Sequence, residues 1–315
     1  MTKELLLSYT VYLLVITFSF GQSKNDYTTY HQSVLDIEQE IITEKYSDAL
    51  FMYEQLFETY DFIFLRDYKI ASQLAAYTKN KEKTLAYIEL GIQGGWSLKS
   101  IKKHTLFKEY LSKEDWKIIK RKSPSLVAIY EHKLNKEVQA QVKKMSAKDQ
   151  WKALKALFRF SDKAQTRYSE NKFAPHSEQQ MAKLMDIIAN HGYPGEKLVG
   201  KGYWMSTIIS HHNSISTTYN QKDTLYLSLI PKLKEAIQDG SLSPYQFAII
   251  DDWYLTSLND DSKPNYGIIR PPSPEHVSKT NAPRAAIGIR TIALRDSLLT
   301  VEDKTGIRLY ITDIW

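Results

Sequence analysis

The chain has 315 residues, of which 43% are hydrophobic and 25% charged, and Lys plus Arg outnumber Asp plus Glu by 42 to 36. That is the balance of a folded globular protein of about two domains, not of a disordered polymer or a multi-span membrane protein. Cysteine is absent, which excludes disulfide scaffolds, thiolate zinc sites, iron–sulfur clusters, cysteine nucleophiles and lipidated cysteine anchors.

Residues 1–21 read as a secretory signal peptide. Lys3 supplies the positive start, Leu5 to Phe20 an apolar run of 16 residues, and Ser19-Phe20-Gly21 a small-x-small cleavage site before Gln22. The run is shorter than the roughly 20 residues that span a bilayer. The expectation is a periplasmic or secreted protein with no transmembrane span after cleavage, an uncleaved anchor being the competitor. The basic charge is concentrated, with 18 Lys or Arg against 7 Asp or Glu between Lys99 and Lys163. In an exported protein that stretch suits an anionic envelope component (a wall polymer, a lipid surface or an acidic partner) and not nucleic acid. A solvated lysine face is the plainer alternative.

Residues 22–123 read as helical. Tyr46, Ala49, Leu50, Tyr53, Leu56 and Phe57 fall on one side of a helix. A helix over Tyr68–Tyr77, with Ala71, Leu74 and Ala75 inward, is joined by Lys79-Asn80-Lys81 to one over Glu82–Ile92, stopped by Gly94-Gly95. A link that short makes the two antiparallel neighbours. At an offset of 35 residues Leu50 matches Leu85, Glu54 matches Glu89 and Phe57 matches Ile92. The period and the Ala-x-x-Leu-Ala spacing resemble tetratricopeptide repeats over about residues 30–120, which implies a concave helical surface for a peptide or protein partner. A bundle without a groove fits the same pattern.

Pro124 is read as the boundary of a second helical domain, 124–315. A helix from Ser125 to about Phe160 is expected, with Leu126, Ile129, Tyr130, Leu134, Val138 and Val142 along it, then a polar loop over 161–175. Ser177 and Gln180 can form a capping box for a helix that buries Met181, Leu184, Met185 and Ile188 and ends at Gly192. Thr224–Asp239 reads as a helix kinked or restarted at Pro231, and Ser243-Pro244-Tyr245-Gln246 as another helix start. Half of the ten prolines fall between Pro264 and Pro283, an ordered irregular loop. A last helix over Pro283–Leu299 and a short strand through Ile307, Leu309 and Ile311 complete a mostly α fold.

Met145, Asp149 and Gln150 are followed in order by His191-Gly192-Tyr193-Pro194, Leu198-Val199-Gly200, Ser210-His211-His212-Asn213, Asp251-Asp252-Trp253, Tyr266-Gly267 and Arg284. With that ordered set the chain from about Leu134 to Leu299 resembles a bacterial domain of unknown function, family 6624. The family pattern has His-Gly-Trp-Pro, Gln-His-Ala-Asp, Thr-Asp-Arg, Tyr-Gly-Thr-Gln and Arg-Arg. Here tyrosine replaces the tryptophan, Asn213 replaces the acid, Trp253 the arginine, Ile268-Ile269 the Thr-Gln, and only Arg284 is left of the arginine pair. The resemblance implies a domain and no reaction, and these departures imply an altered or inactive site.

The candidate catalytic residues are His191, His211 and Asp252, with Asp251, Tyr266 and Arg284 as binding residues. His191 stands at a helix C-terminus, where the dipole favours imidazolium and a structural cap suffices. His211 shares a face with Trp204 and Ile208, while His212 points about 100° away and is expected to be exposed. Asp251 falls in the apolar stripe of Phe247, Ile250, Tyr254, Leu255 and Leu258, so it needs a partner, with His191, His211 or Arg284 as candidates. An Asp–His couple would orient an imidazole for proton transfer. No zincin, phosphate-loop, nucleophile-elbow or calcium-loop signature appears, no metal set is assigned and the cofactor stays open. The expectation is an exported protein that binds a protein, peptide or anionic envelope component through helical surfaces. The alternative is a hydrolase-like or metal-assisted enzyme.

Overall fold

Start and stop signals in the sequence account for most of the helix boundaries. The computed structural model describes residues 26–258 and 265–311, and no strand occurs among them. The signal segment and Pro264 lie outside the described residues. The Asp26 side chain accepts from the Thr28 amide to start α1 (Tyr27–Ile42), and α2 (Tyr46–Thr59) buries Ala49, Leu50, Tyr53 and Leu56 as their spacing predicts. Asn80 caps α4 (Lys81–Gln93) after the short link from α3 (Leu65–Tyr77). Each of these helices packs on the next, and α4 packs on α5 (Lys113–Lys133), which opens on a reciprocal Ser112–Asp115 capping box.

Pro124 does not break the chain; it lies inside α5. A proline forfeits the hydrogen bond to the carbonyl four residues back and crowds that carbonyl, but the buried Ile119 and Leu126 hold the helix on both sides of it. The break comes at the extended Leu134, after which Asn135 caps α6 (Lys136–Leu157). The expected loop at 161–175 is instead a helix over Asp162–Tyr168, capped by Ser161, running into a π turn over Ser169–Phe173. That turn leads directly into α7 (Ala174–His191), so Ser177 lies past the helix start and serves tertiary contacts, not a cap.

Beyond Gly192, at φ +81, come α8 (Tyr203–Asn213) and α9 (Leu225–Gln238), which runs unbroken through Pro231. Ser243 caps α10 (Pro244–Ser257) by accepting from Gln246 N. The proline-rich region is partly helical, with a 3-10 turn over Pro274–His276 leading into α11 (Val277–Ala286). The expected last helix is therefore two, because the chain turns at Gly288 (φ +76) and restarts at the Thr291 cap of α12 (Ile292–Thr305).

The tail buries Ile307 and Leu309 in alternation, yet it forms no strand. Its backbone neighbour is a side chain: Arg308 N donates to Gln73 Oε1 at 2.7 Å and Gln73 Nε2 donates to Arg308 O at 3.1 Å. The amide reproduces a strand's hydrogen bonds without being one.

Two main cores result. Helices α6 to α10 enclose one, around Val142, Leu184, Ile208, Leu229 and Phe247. The other lies among α1 to α4 and is closed by Leu294, Leu298, Val301, Ile307 and Leu309 from the C-terminal end. The chain thus returns to its beginning, α1 packing on both α12 and α9. No helix among the described residues is long and apolar enough to cross a membrane.

Candidate functional site

The candidate catalytic residues do not assemble. His191 is exposed at the end of α7. His211 on α8 pairs with Asp149 of α6, Nδ1 to Oδ2 at 2.6 Å. Asp252 is buried in α10 and accepts the backbone amides of Tyr266 and Ile268 at 2.7 Å each and of Ile269 at 3.4 Å. Among the described residues no hydrogen bond or ion pair joins any two of the three.

Asp252 is a backbone clasp. Burial pushes its carboxyl up to about 6 even though three amides favour the anion. Arg284 completes the clasp: fully buried, it donates from Nη1 to Tyr266 O at 2.7 Å and from Nε to Arg290 O at 2.6 Å. Asp251 is the more exposed of the adjacent pair, and its partners are the hydroxyls of Tyr226, at 2.6 Å, and Tyr266, not a histidine or Arg284. The hydroxyls come from α9 and from the segment after α10, neither of which α10's own periodicity reveals.

The two adjacent histidines are the reverse of the expectation. His212 is the fully buried one, with Nδ1 3.0 Å from Ser177 Oγ and Nε2 3.2 Å from Asp223 Oδ2. Serine, histidine and aspartate are thus aligned, but all three are buried in the packing between helices. His211 keeps partial exposure beside the buried Asp149. It borders an open cavity of about 290 Å³ with Gln150, Gln165 and Phe173. A carboxylate that fixes one ring nitrogen leaves the other to act as a base. Among the described residues no three His, Asp or Glu side chains cluster to hold a metal ion.

The most developed polar site lies elsewhere, between the two cores. Glu38 of α1 and Arg290 are each 1% exposed. Arg290 donates from Nη2 to Glu38 Oε1 at 2.6 Å and from Nε to Oε2 at 2.9 Å, and its guanidinium lies 4.7 Å from the Tyr245 ring centre. Arg66 adds a second cation, Nη2 to Glu38 Oε1 at 2.5 Å and Nη1 to Asp67 Oδ1 at 3.3 Å. The Tyr30 hydroxyl donates to Asp67 at 2.5 Å. Two arginines and two carboxylates cancel, which is how charges survive burial.

Against this network lies a cavity of about 260 Å³, walled by Tyr30, Phe64, Tyr245, Ile249 and Tyr310 and reached by Lys69, His31 and Glu196. The Lys69 side chain makes no hydrogen bond or close ion pair among the described residues; its ammonium lies 5.0 Å from the Tyr310 ring centre and 5.9 Å from that of Trp96, and the Glu196 carboxylate attracts it at longer range. Burial holds it below the usual lysine range. His31, bonded to the Ile237 carbonyl, is pushed down to about 4 by burial and stays neutral. Its Nε2 is buried without a hydrogen-bond partner. Glu196 accepts the Leu65 amide at 2.7 Å, and burial pushes it up to about 7.

Glycine positions Glu196. A Cβ on Gly195 would stand 1.9 Å from Ser241 O, and Gly200 ends the single turn Glu196–Val199 at φ +71. None of the residues of this site was singled out by the sequence. Two carried a signal, since Glu38 falls among Tyr30, Val34, Ile37 and Ile41 on α1, and Asp67 among Ile70, Ala71 and Leu74 on α3. No family model, curated protein or solved structure matches the chain.

Proposed function

We propose that the protein is a binding protein which takes a small organic anion with an apolar body into the cavity between its two cores. The single observation that carries this reading is Lys69, an ammonium among aromatic rings with no hydrogen bond or close ion pair, answered only at longer range by Glu196, beside a network whose own charges cancel. Aromatic walls with a few fixed polar groups are the usual make-up of a small-molecule site, and about 260 Å³ lies just below the common range of about 300 to 1,000 Å³. Lys69 meets the anion, His31 Nε2 accepts from a donor on the ligand, and Glu196 adds a hydrogen bond when protonated. Ionised Glu196 repels the anion, so binding tightens as the pH falls through about 7.

The test is calorimetric titration with aryl and branched-chain carboxylates, each beside its alcohol twin. A carboxylate binds at least about tenfold tighter than its twin, and Lys69→Met removes the difference. Equal binding of the twins, or an unaffected Lys69→Met variant, overturns the reading.

Export belongs to the same proposal, supported by Lys3, the apolar run Leu5–Phe20 and Ser19-Phe20-Gly21. Membership of the uncharacterised bacterial family is likewise proposed on the motif residues. What supports it is that distant motif elements meet in pairs, Asp149 with His211, Asp252 with Tyr266 and Arg284 with Tyr266.

A second reading is favoured by the Asp149–His211 couple beside its open cavity. It is a hydrolase-like activity in which His211 is the general base and Asp149 its positioning residue. Hydrolysis of activated esters that disappears in His211→Gln at unchanged Tm supports it, and a rate that persists in the variant removes it.

A further inference from the structure

The exposed end of α6 carries an arrangement that shares only Leu154 with the open cavity beside His211. Trp151, Leu154 and Phe158 are 61%, 41% and 66% exposed, and Phe160 just beyond them is wholly so. The first three share one helical face. Lys148, Lys152, Lys155 and Arg159 form a second stripe roughly 90° around the axis. The side that buries Met145, Ser146 and Asp149 lies opposite the apolar stripe, while the basic stripe flanks it, with Lys148, Lys155 and Arg159 exposed and Lys152 half-buried. Four large apolar side chains grouped in solvent are unusual for a soluble surface.

The charge along this stretch of chain is mostly positive. From Lys143 to Arg167 the chain has eight Lys or Arg and two Asp. Asp149 is buried against His211, leaving Asp162 as the sole exposed acid of the stretch. Lys155 lies 5.3 Å from the Trp151 ring centre, alongside the apolar stripe. Cations flanking aromatic rings match the bilayer boundary, where rings enter the headgroup region and lysines stay at the phosphates.

We infer that the end of α6, with residues 158–163, is a docking surface for an anionic phospholipid bilayer. Trp151, Leu154, Phe158 and Phe160 enter the headgroup–acyl boundary while Lys148, Lys152, Lys155, Arg159 and Lys163 meet lipid phosphates. A polyanion without an apolar body, such as polyphosphate, would use the cations but would leave the aromatic face in water. A bilayer uses both.

The test is co-sedimentation of the full chain with vesicles of phosphatidylcholine alone, or with about a third phosphatidylglycerol. The apolar segment Leu5–Phe20 is common to every variant, so differences between variants report the α6 surface. Wild type binds the anionic vesicles and is released by high salt. Trp151→Ser/Phe158→Ser weakens binding at least about tenfold, Lys148→Gln/Lys155→Gln weakens it comparably, and neither changes Tm by more than about 2 °C, since every substituted side chain is exposed. Equal binding to neutral vesicles, an unaffected double serine variant, or binding to polyphosphate as tight as to vesicles and indifferent to the serines overturns the inference.

Discussion

Glu38 and Arg290 lie 252 residues apart and meet in a two-pronged ion pair, each about 1% exposed. Glu38 stands on the first helix and Arg290 just before the last, so the pair ties the two ends of the fold beside the cavity. Removing one member of a buried pair strands the other. Glu38→Leu leaves Arg290 with no carboxylate and costs about 3–5 kcal/mol in urea unfolding. The double variant Glu38→Leu/Arg290→Met costs less than Glu38→Leu alone, because the stranded arginine is removed and Arg66 keeps Asp67. A double variant at least as damaged as the single contradicts the pairing.

Glu196 sets a pH dependence. In the fold it holds its proton up to about 7, whereas in the unfolded chain it releases it near 4.5. The folded chain therefore binds more protons between those values, and the contribution, full below about 4.5, is lost as pH rises through about 7. Glu196→Gln lacks this loss. Relative to the variant, wild type drops on the order of 2 kcal/mol, a few degrees in Tm, between pH 4.5 and 7.5. A Tm difference that does not move across that window shows an ordinary carboxylate.

Burial acts oppositely on His31. Pushed down to about 4, it costs stability as pH falls from about 6.5, where the unfolded histidine takes up its proton. Wild type loses Tm relative to His31→Gln as the buffer is taken from pH 6.5 to 4.5. An unchanging difference contradicts a buried neutral imidazole.

Asp252 fastens the segment after α10 through three amides. Asp252→Ala orphans those donors and costs about 2–3 kcal/mol. Hydrogen exchange shows protection lost first at Tyr266, Ile268 and Ile269. Uniform loss across the protein contradicts a local clasp.

The mostly helical fold was legible because it is local. The stripe of α2, the Ser243 cap and the stops at Gly94 and Gly192 are written in consecutive residues. What failed needed a partner distant in sequence. The tail reads as a strand because Ile307 and Leu309 alternate, and only Gln73 shows that its neighbour is a side chain. His212 reads as exposed from the stripe of α8, but Ser177 and Asp223 enclose it from two other elements. Pro124 reads as a boundary because the packing that carries a helix through a proline is tertiary. The cavity was the least legible feature: its charges sit on several elements, and Glu38 and Asp67 betray themselves only as charges within apolar stripes, the same signal that drew notice to Asp251.

Ile249 lines the cavity from α10 beside Tyr245, so Ile249→Trp fills the space without touching Lys69 or Glu196. The decisive measurement is calorimetric titration of this variant and wild type with the tightest carboxylate found. Saturable one-to-one binding by wild type, reduced at least about a hundredfold in the variant while Tm stays within a few degrees, is the expected result. Undiminished binding by a folded Ile249→Trp protein would place the ligand elsewhere and contradict the assignment of the cavity.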